Sequence, residues 1–181
     1  MAYLTEAQLL SFREIYREKN QNRIFKEQRK QSADVTIFLS HSHLDKKLVE
    51  GLISYLAQFG LNIYVDWQDS NMPRVTNRDT ATLIKEKIKD LNLFWILATK
   101  NAMNSKWVPW ETGIGDLAKN GNVYIIPVSD NDGKFHGSEY LQLYRRIEIA
   151  NDDQLASFRP NQNSGGIYLK EVMKSRGSFL Y

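Results

Sequence analysis

An α/β fold built on a doubly wound, largely parallel sheet is predicted by three features of this chain. Short runs rich in apolar and β-branched residues recur at Val35 to Leu39, Leu61 to Val65, Leu93 to Ala98 and Val123 to Val128. Amphipathic stretches of helical length separate them, which demands crossover connections and therefore parallel neighbours. The runs are mostly apolar throughout rather than alternating, as expected of strands covered by helices on both faces.

The elements follow in order. Neither Gly nor Pro occurs before Gly51, and Thr5 with Gln8 resembles a capping box opening a helix that could run towards residue 30. Leu9, Phe12 and Tyr16 share one face of it, so this arm is expected to pack on the domain or on another subunit. After the first strand, Ser42 and Asp45 are expected to cap a helix whose apolar positions are Leu48, Val49, Leu52, Ile53 and Leu56, with Gly60 as its stop. A polar loop from Trp67 to Thr76 follows the second strand, and the next helix turns Ile84, Ile88 and Leu91 inward. A helix from about Trp107 to Asn120-Gly121 leads into the fourth strand, where Pro127 marks an edge or an end. Beyond it, Asp130 to Gly133 reads as a turn, Ile147 to Ile149 as a last strand and Pro160 to Gly166 as a loop.

Composition narrows the function classes. The 181 residues suit one domain with an appendage, and no residue is cysteine, which removes disulfide scaffolds, thiolate metal sites and thiol nucleophiles. The net charge of +3 comes from the first 33 residues, which hold seven basic and four acidic side chains, whereas the other 148 hold 17 of each. A balanced domain lacks the basic face of a nucleic-acid binder. The longest purely apolar run, Leu93 to Ala98, is far short of the roughly 20 residues that span a bilayer, and a cytoplasmic protein without a membrane partner is expected.

Ligands of parallel doubly wound sheets lie outside the carboxyl ends of the strands. Here those ends carry Ser40-His41-Ser42-His43 and Asp66-Trp67-Gln68-Asp69, with no Gly-rich phosphate fingerprint after any strand. His41 and His43 could point the same way on extended backbone, but no third metal ligand matches them. A strand end turning into a cap is the simpler reading, and no metal is expected. Asp66 and Asp69 read as loop carboxylates that are solvated or hydrogen-bonded to the loop.

The sharpest local feature is Ser105-Lys106-Trp107-Val108-Pro109-Trp110-Glu111. Proline is compatible with helix only near its first turn, which sets the start close to Trp107. Trp107 and Glu111 then lie one turn apart, with Ile114 and Ala118 continuing that side inward. Burying a carboxylate costs several kcal/mol unless it is paired, so Glu111 implies either a structural partner or a chemical cleft; periodicity leaves both open. Gly113 and Gly115 each cost about 1 kcal/mol relative to Ala inside a helix, a cost that close approach of a backbone or a ligand would offset. Glu86 falls opposite the apolar stripe of its helix and is set aside.

These residues resemble the Toll/interleukin-1 receptor (TIR) domain family, particularly small bacterial members of the Thoeris antiphage-defence type. Val35 to Ser42 followed by Asp45 is similar to its first box, Ile63 to Asp66 before a polar loop to its second strand and BB loop, and Trp107-x-x-x-Glu111 to the Trp and Glu pair of its enzymatic members. The resemblance implies a flavodoxin-like, five-stranded parallel sheet over residues 34–150, with an N-terminal helical extension (1–33) and a C-terminal segment packed on the domain (151–181).

The resemblance also implies NAD+ as substrate, with no separate cofactor: cleavage at the nicotinamide ribosyl bond, and an ADP-ribose-derived signal read by a downstream effector. On it, Glu111 is catalytic, Trp107 is a wall of the site, and Ser40, His41, Ser42, Asp66 and Trp67 border the substrate. Self-association through the BB loop would make Trp67, Met72 and Pro73 contact candidates. The rival readings are a non-enzymatic TIR scaffold and a receiver domain, whose acidic cluster would stand where this chain has Ser40-His41-Ser42.

Overall fold

The computed structural model describes residues 2–19, 35–57, 59, 61–73 and 77–174. In chain order its elements are β1 (Leu4–Thr5), α1 (Glu6–Lys19), β2 (Thr36–Ser40), α2 (Lys46–Ala57), β3 (Asn62–Tyr64), α3 (Arg78–Asp90), β4 (Leu93–Ala98), α4 (Lys100–Met103), α5 (Trp107–Lys119), β5 (Val123–Ser129), β6 (Arg145–Ile149), β7 (Leu155–Phe158), β8 (Ile167–Tyr168) and α6 (Leu169–Lys174). Short 3-10 turns at His43–Asp45, Asp66–Gln68 and Glu139–Leu143 complete the framework. No described helix is long and apolar enough to cross a membrane.

Five strands run parallel in the order β3-β2-β4-β5-β6, the flavodoxin-like arrangement. Three further strands enlarge the sheet beyond the expected five. β7 pairs antiparallel with β6, β8 pairs antiparallel with β7, and β1 runs parallel beside the end of β5. The sequence reading missed β7 and β8 because strands of four and two residues carry almost no periodic signal. The short helix α6 after them was likewise not anticipated.

Pro127 is also corrected: β5 is internal, not an edge. Its missing N–H is tolerated because β6 pairs only at Tyr124 and Ile125, while β1 joins at Val128 and Ser129, leaving Pro127 where one neighbour gives way to the other.

Strand alternation sorts the core into two layers. Ile37, Leu39, Trp95, Leu97, Tyr124 and Ile126 face α1, α2 and α6, whereas Phe38, Phe94, Ile96, Val123 and Ile125 face α3, α4 and α5. Ser40 shares the parity of Phe38 and so points towards the α5 side.

Helix α1 opens on the expected capping box: the Thr5 hydroxyl accepts from Gln8 N, and the Gln8 amide oxygen accepts from Thr5 N. It packs on α2. Leu9 is buried, Phe12 stacks on Tyr55 with ring centroids 4.4 Å apart, and Arg13 pairs with Glu50 at 2.6 Å. A Cβ added at Gly51 would lie 1.9 Å from the Leu9 carbonyl oxygen, so glycine is what lets the two backbones approach. The side chain of Tyr16, a helix continuing towards residue 30, the stop at Gly60 and the loop end at Thr76 fall outside what the structure describes.

Helix α3 starts at Asn77 in a capping box with Thr80. At its other end, the buried Lys119 ammonium donates to the carbonyls of Lys89 (2.8 Å) and Leu91, so α5 caps α3.

Candidate functional site

Helix α5 begins at Trp107 as expected and ends in the left-handed residue Asn120, at φ 42°. The buried stripe differs from the one read from periodicity. It runs through Val108, Glu111, Thr112, Gly115 and Lys119, while Ile114 is half-buried and Ala118 exposed. The helix is rotated so that Gly115 faces the sheet, where an added Cβ would sit 2.6 Å from the Phe94 ring. Gly113 faces open space instead. Trp107 stays half-buried, edge-on to Trp110 at 5.0 Å.

That rotation carries Glu111 to the carboxyl end of β2. Its residue is 7% exposed, and its Oε2 lies 2.5 Å from the hydroxyl of Ser40, itself 1% exposed. Among the described residues it forms no ion pair. Burial pushes the Glu111 carboxyl up to about 8; the Ser40 hydrogen bond opposes the shift and the negative charge of Asp66 adds to it. The partner left open by periodicity is a neutral hydroxyl, that of Ser40.

Of the other candidates, His41, Asp66 and Trp67 are linked to one another. His41 Nδ1 lies 2.9 Å from the Leu39 carbonyl, which fixes the proton on that nitrogen and leaves Nε2 to accept the Trp67 indole N–H at 3.1 Å. Lys46 stands 4.6 Å over the Trp67 ring, and Asp66 Oδ1 lies 3.8 Å from His41 Nε2. Neither imidazole nitrogen of His41 has a lone pair free for a metal, and His43 is exposed. Among the described residues no group of three or more His, Asp or Glu side chains could hold a metal ion.

Ser42 is buried, and its hydroxyl accepts the N–H of Leu44 as the cap of the His43–Asp45 turn. Asp45 is not a second cap. Its carboxylate takes the Thr99 hydroxyl at 2.5 Å and the Asn101 amide at 2.6 Å, tying the end of β2 to the end of β4. Asp69 accepts from Tyr64 Oη at 2.9 Å, lies 3.3 Å from Lys87 Nζ and is held below the usual carboxylate range, first by the backbone N–H of Asn71. Asp69 is hydrogen-bonded to its loop as expected, whereas the bonds of Asp45 were missed because Thr99 and Asn101 lie more than 50 positions away and no local spacing signals them.

A doubly wound sheet with a buried acid at the carboxyl end of a central strand defines an α/β protein of the flavodoxin-like class, in which ligands generally lie outside the carboxyl ends of the strands. A TIR domain family model matches residues 37–159, and the chain belongs to the TIR domain family.

Over 112 residues the chain is 38% identical to "Probable 3' cyclic ADP-D-ribose synthase ThsB'" of Bacillus cereus (strain MSX-D12), covering 60% of this chain and 58% of that one. Over 98 residues it is 26% identical to "Putative cyclic ADP-D-ribose synthase TIR2" of Cytobacillus dafuensis, covering 52% and 25%. The matched region thus spans little more than half of the first relative and a quarter of the second. A prokaryotic SEFIR domain crystal structure superposes with a TM-score of 0.46 at 15% identity, over 66% of this chain and 84% of that one.

Proposed function

We propose that this chain cleaves NAD+ at the nicotinamide ribosyl bond and releases nicotinamide together with a cyclic ADP-ribose-type signal for antiphage defence. The observation that carries the reading is Glu111, an acid buried at the strand ends, held by one neutral hydroxyl and paired with no described cation. The names of the two relatives support the cyclic product.

The chemistry suits a lone carboxylate. Glycoside hydrolysis normally needs a second acid to protonate the leaving oxygen. Nicotinamide already leaves from a pyridinium cation as a neutral base, so no proton donor is required. As the C–N bond breaks, positive charge moves onto the ribose, and ionised Glu111 stabilises that charge and accepts from ribose hydroxyls. Trp107, one turn before it, supplies an aromatic face towards the cationic ring, worth about 0.5–2 kcal/mol depending on desolvation. His41, Asp66 and Trp67 form the opposite rim. Capture of the ribosyl cation by a hydroxyl of the same molecule, which passes its proton to the Glu111 carboxylate, closes the ring, and a cleft that excludes water favours that outcome over hydrolysis.

The test is to incubate the purified protein with NAD+, alone and with extract from phage-infected cells, and to follow nicotinamide release by chromatography and product mass by spectrometry. Release by the wild type and its loss in Glu111→Gln with unchanged circular dichroism support the reading. Equal release by the variant overturns it and leaves the scaffold reading.

A further inference from the structure

Ser40 enters the site as a candidate substrate contact, yet its position argues for a different role. It is the last residue of β2, it faces the α5 layer by strand alternation, and it is 1% exposed, less than the 7% of Glu111. Both groups are buried, so the hydroxyl is engaged with the carboxylate rather than turned to solvent. The Ser40 oxygen is 2.5 Å from Oε2, well within reach of a hydroxyl-to-carboxyl hydrogen bond.

We propose that Ser40 is a positioning residue that acts on Glu111: its hydroxyl donates to Oε2, fixes the carboxylate plane and stabilises the ionised form that the reaction needs. The inference rests on the assignment of Glu111 made above. The groups that bear on Glu111 are Ser40 from β2 and Asp66 from the turn after β3, and they act in opposite directions. Burial and Asp66 favour the protonated acid, whereas Ser40 favours the carboxylate. Arrival of a pyridinium cation tips this balance towards ionisation, so the acid is charged when the positive substrate is beside it.

The experiment compares wild type, Ser40→Ala and Ser40→Cys, the last a near-isosteric weaker donor that tests the fold as well. The Glu111 carboxyl is titrated by carbon-13 NMR, with Glu111→Gln assigning its resonance, and the pH profile of NAD+ cleavage is measured in parallel. The expected result is an upward shift of the Glu111 titration by about one pH unit in Ser40→Ala, with Ser40→Cys in between. The corresponding loss in kcat/KM is about tenfold near neutral pH and is recovered at high pH.

A titration that stays in place in both variants overturns the proposal. So does a rise in KM with an unmoved pH profile, which would make Ser40 a substrate contact. The NMR readout does not depend on turnover. A shifted titration alongside a Glu111→Gln variant that still cleaves NAD+ would therefore refute the catalytic assignment and leave the Ser40–Glu111 coupling standing.

Discussion

Ser40 Oγ and Glu111 Oε2, 71 positions apart in the chain, meet at 2.5 Å where the carboxyl end of β2 faces α5. The contact places an ionisable oxygen at a strand end without neutralising it. On the proposed role of Glu111, free enzyme and substrate complex would differ in the protonation of that one group, and the pH dependence of activity would report it. With the Glu111 carboxyl at about 8, kcat/KM for NAD+ is expected to rise from pH 6 to a plateau above pH 9. Glu111→Gln is expected to lose at least about 10²-fold at every pH, the size typical of removing a preorganised electrostatic stabiliser. Steady-state nicotinamide release across pH 6–10 checks both.

Stability moves the opposite way. The native acid is shifted upward from an ordinary value of 4.5, so the fold carries no cost from it below pH 4.5, where both folded and unfolded chains hold the proton. Between 4.5 and about 8 the unfolded chain ionises and the native one resists, so stability falls across that range, and above it the cost is constant. Glutamine is neutral throughout and can still bond Ser40. Urea titrations are expected to show Glu111→Gln more stable than wild type at pH 8, with the gap closing as pH falls towards 4.5.

Three helical glycines separate by what lies over them. Gly51→Ala puts a methyl 1.9 Å from the Leu9 carbonyl oxygen and is expected to push α1 off α2. Gly115→Ala meets the Phe94 ring at 2.6 Å and is expected to cost about 1–3 kcal/mol as an overpacked core. Gly113→Ala has nothing within 4 Å and is expected to stabilise α5 by about 0.5–1 kcal/mol. Thermal unfolding of the three single variants checks the order, and proteolysis of the N-terminal arm checks the first.

The loop after β3 is pinned at its root by the His41–Trp67 hydrogen bond, with Lys46 over the indole. His41→Phe fills the space but offers no acceptor to the indole N–H. Amide hydrogen exchange is expected to quicken in residues 66–69 of this variant, while the wholly buried strand β4 keeps its protection.

Asp45 is a buried knot rather than a cap. Asp45→Ala strands the Thr99 hydroxyl and the Asn101 amide and is expected to cost about 2–4 kcal/mol, well above the roughly 1 kcal/mol of Ser42→Ala, which removes one turn cap. Chemical denaturation of the two variants tests the ranking.

The chain's local chemistry was sufficient for the central strands and the longer helices, not for β1, β7, β8, α4 or α6. Apolar runs placed β2, β4 and β5, Pro109 placed the start of α5, and the Thr5–Gln8 spacing placed the start of α1, because each signal lies within a few residues of what it specifies. It also placed Glu111 beside a buried stripe, and the order of the motifs was enough to suggest the family that the comparison established. Tertiary structure decided the rest.

Whether Glu111 was to be matched by a cation or a hydroxyl, which of Gly113 and Gly115 lay under another residue, and how far α5 was rotated all depend on Ser40 and Phe94. Those residues belong to strands that reach the helix only through the fold. Sequence periodicity ranks the faces of a helix by polarity, but it carries no information on how closely the opposing surface approaches. The partner and ionisation of the buried acid follow from that approach.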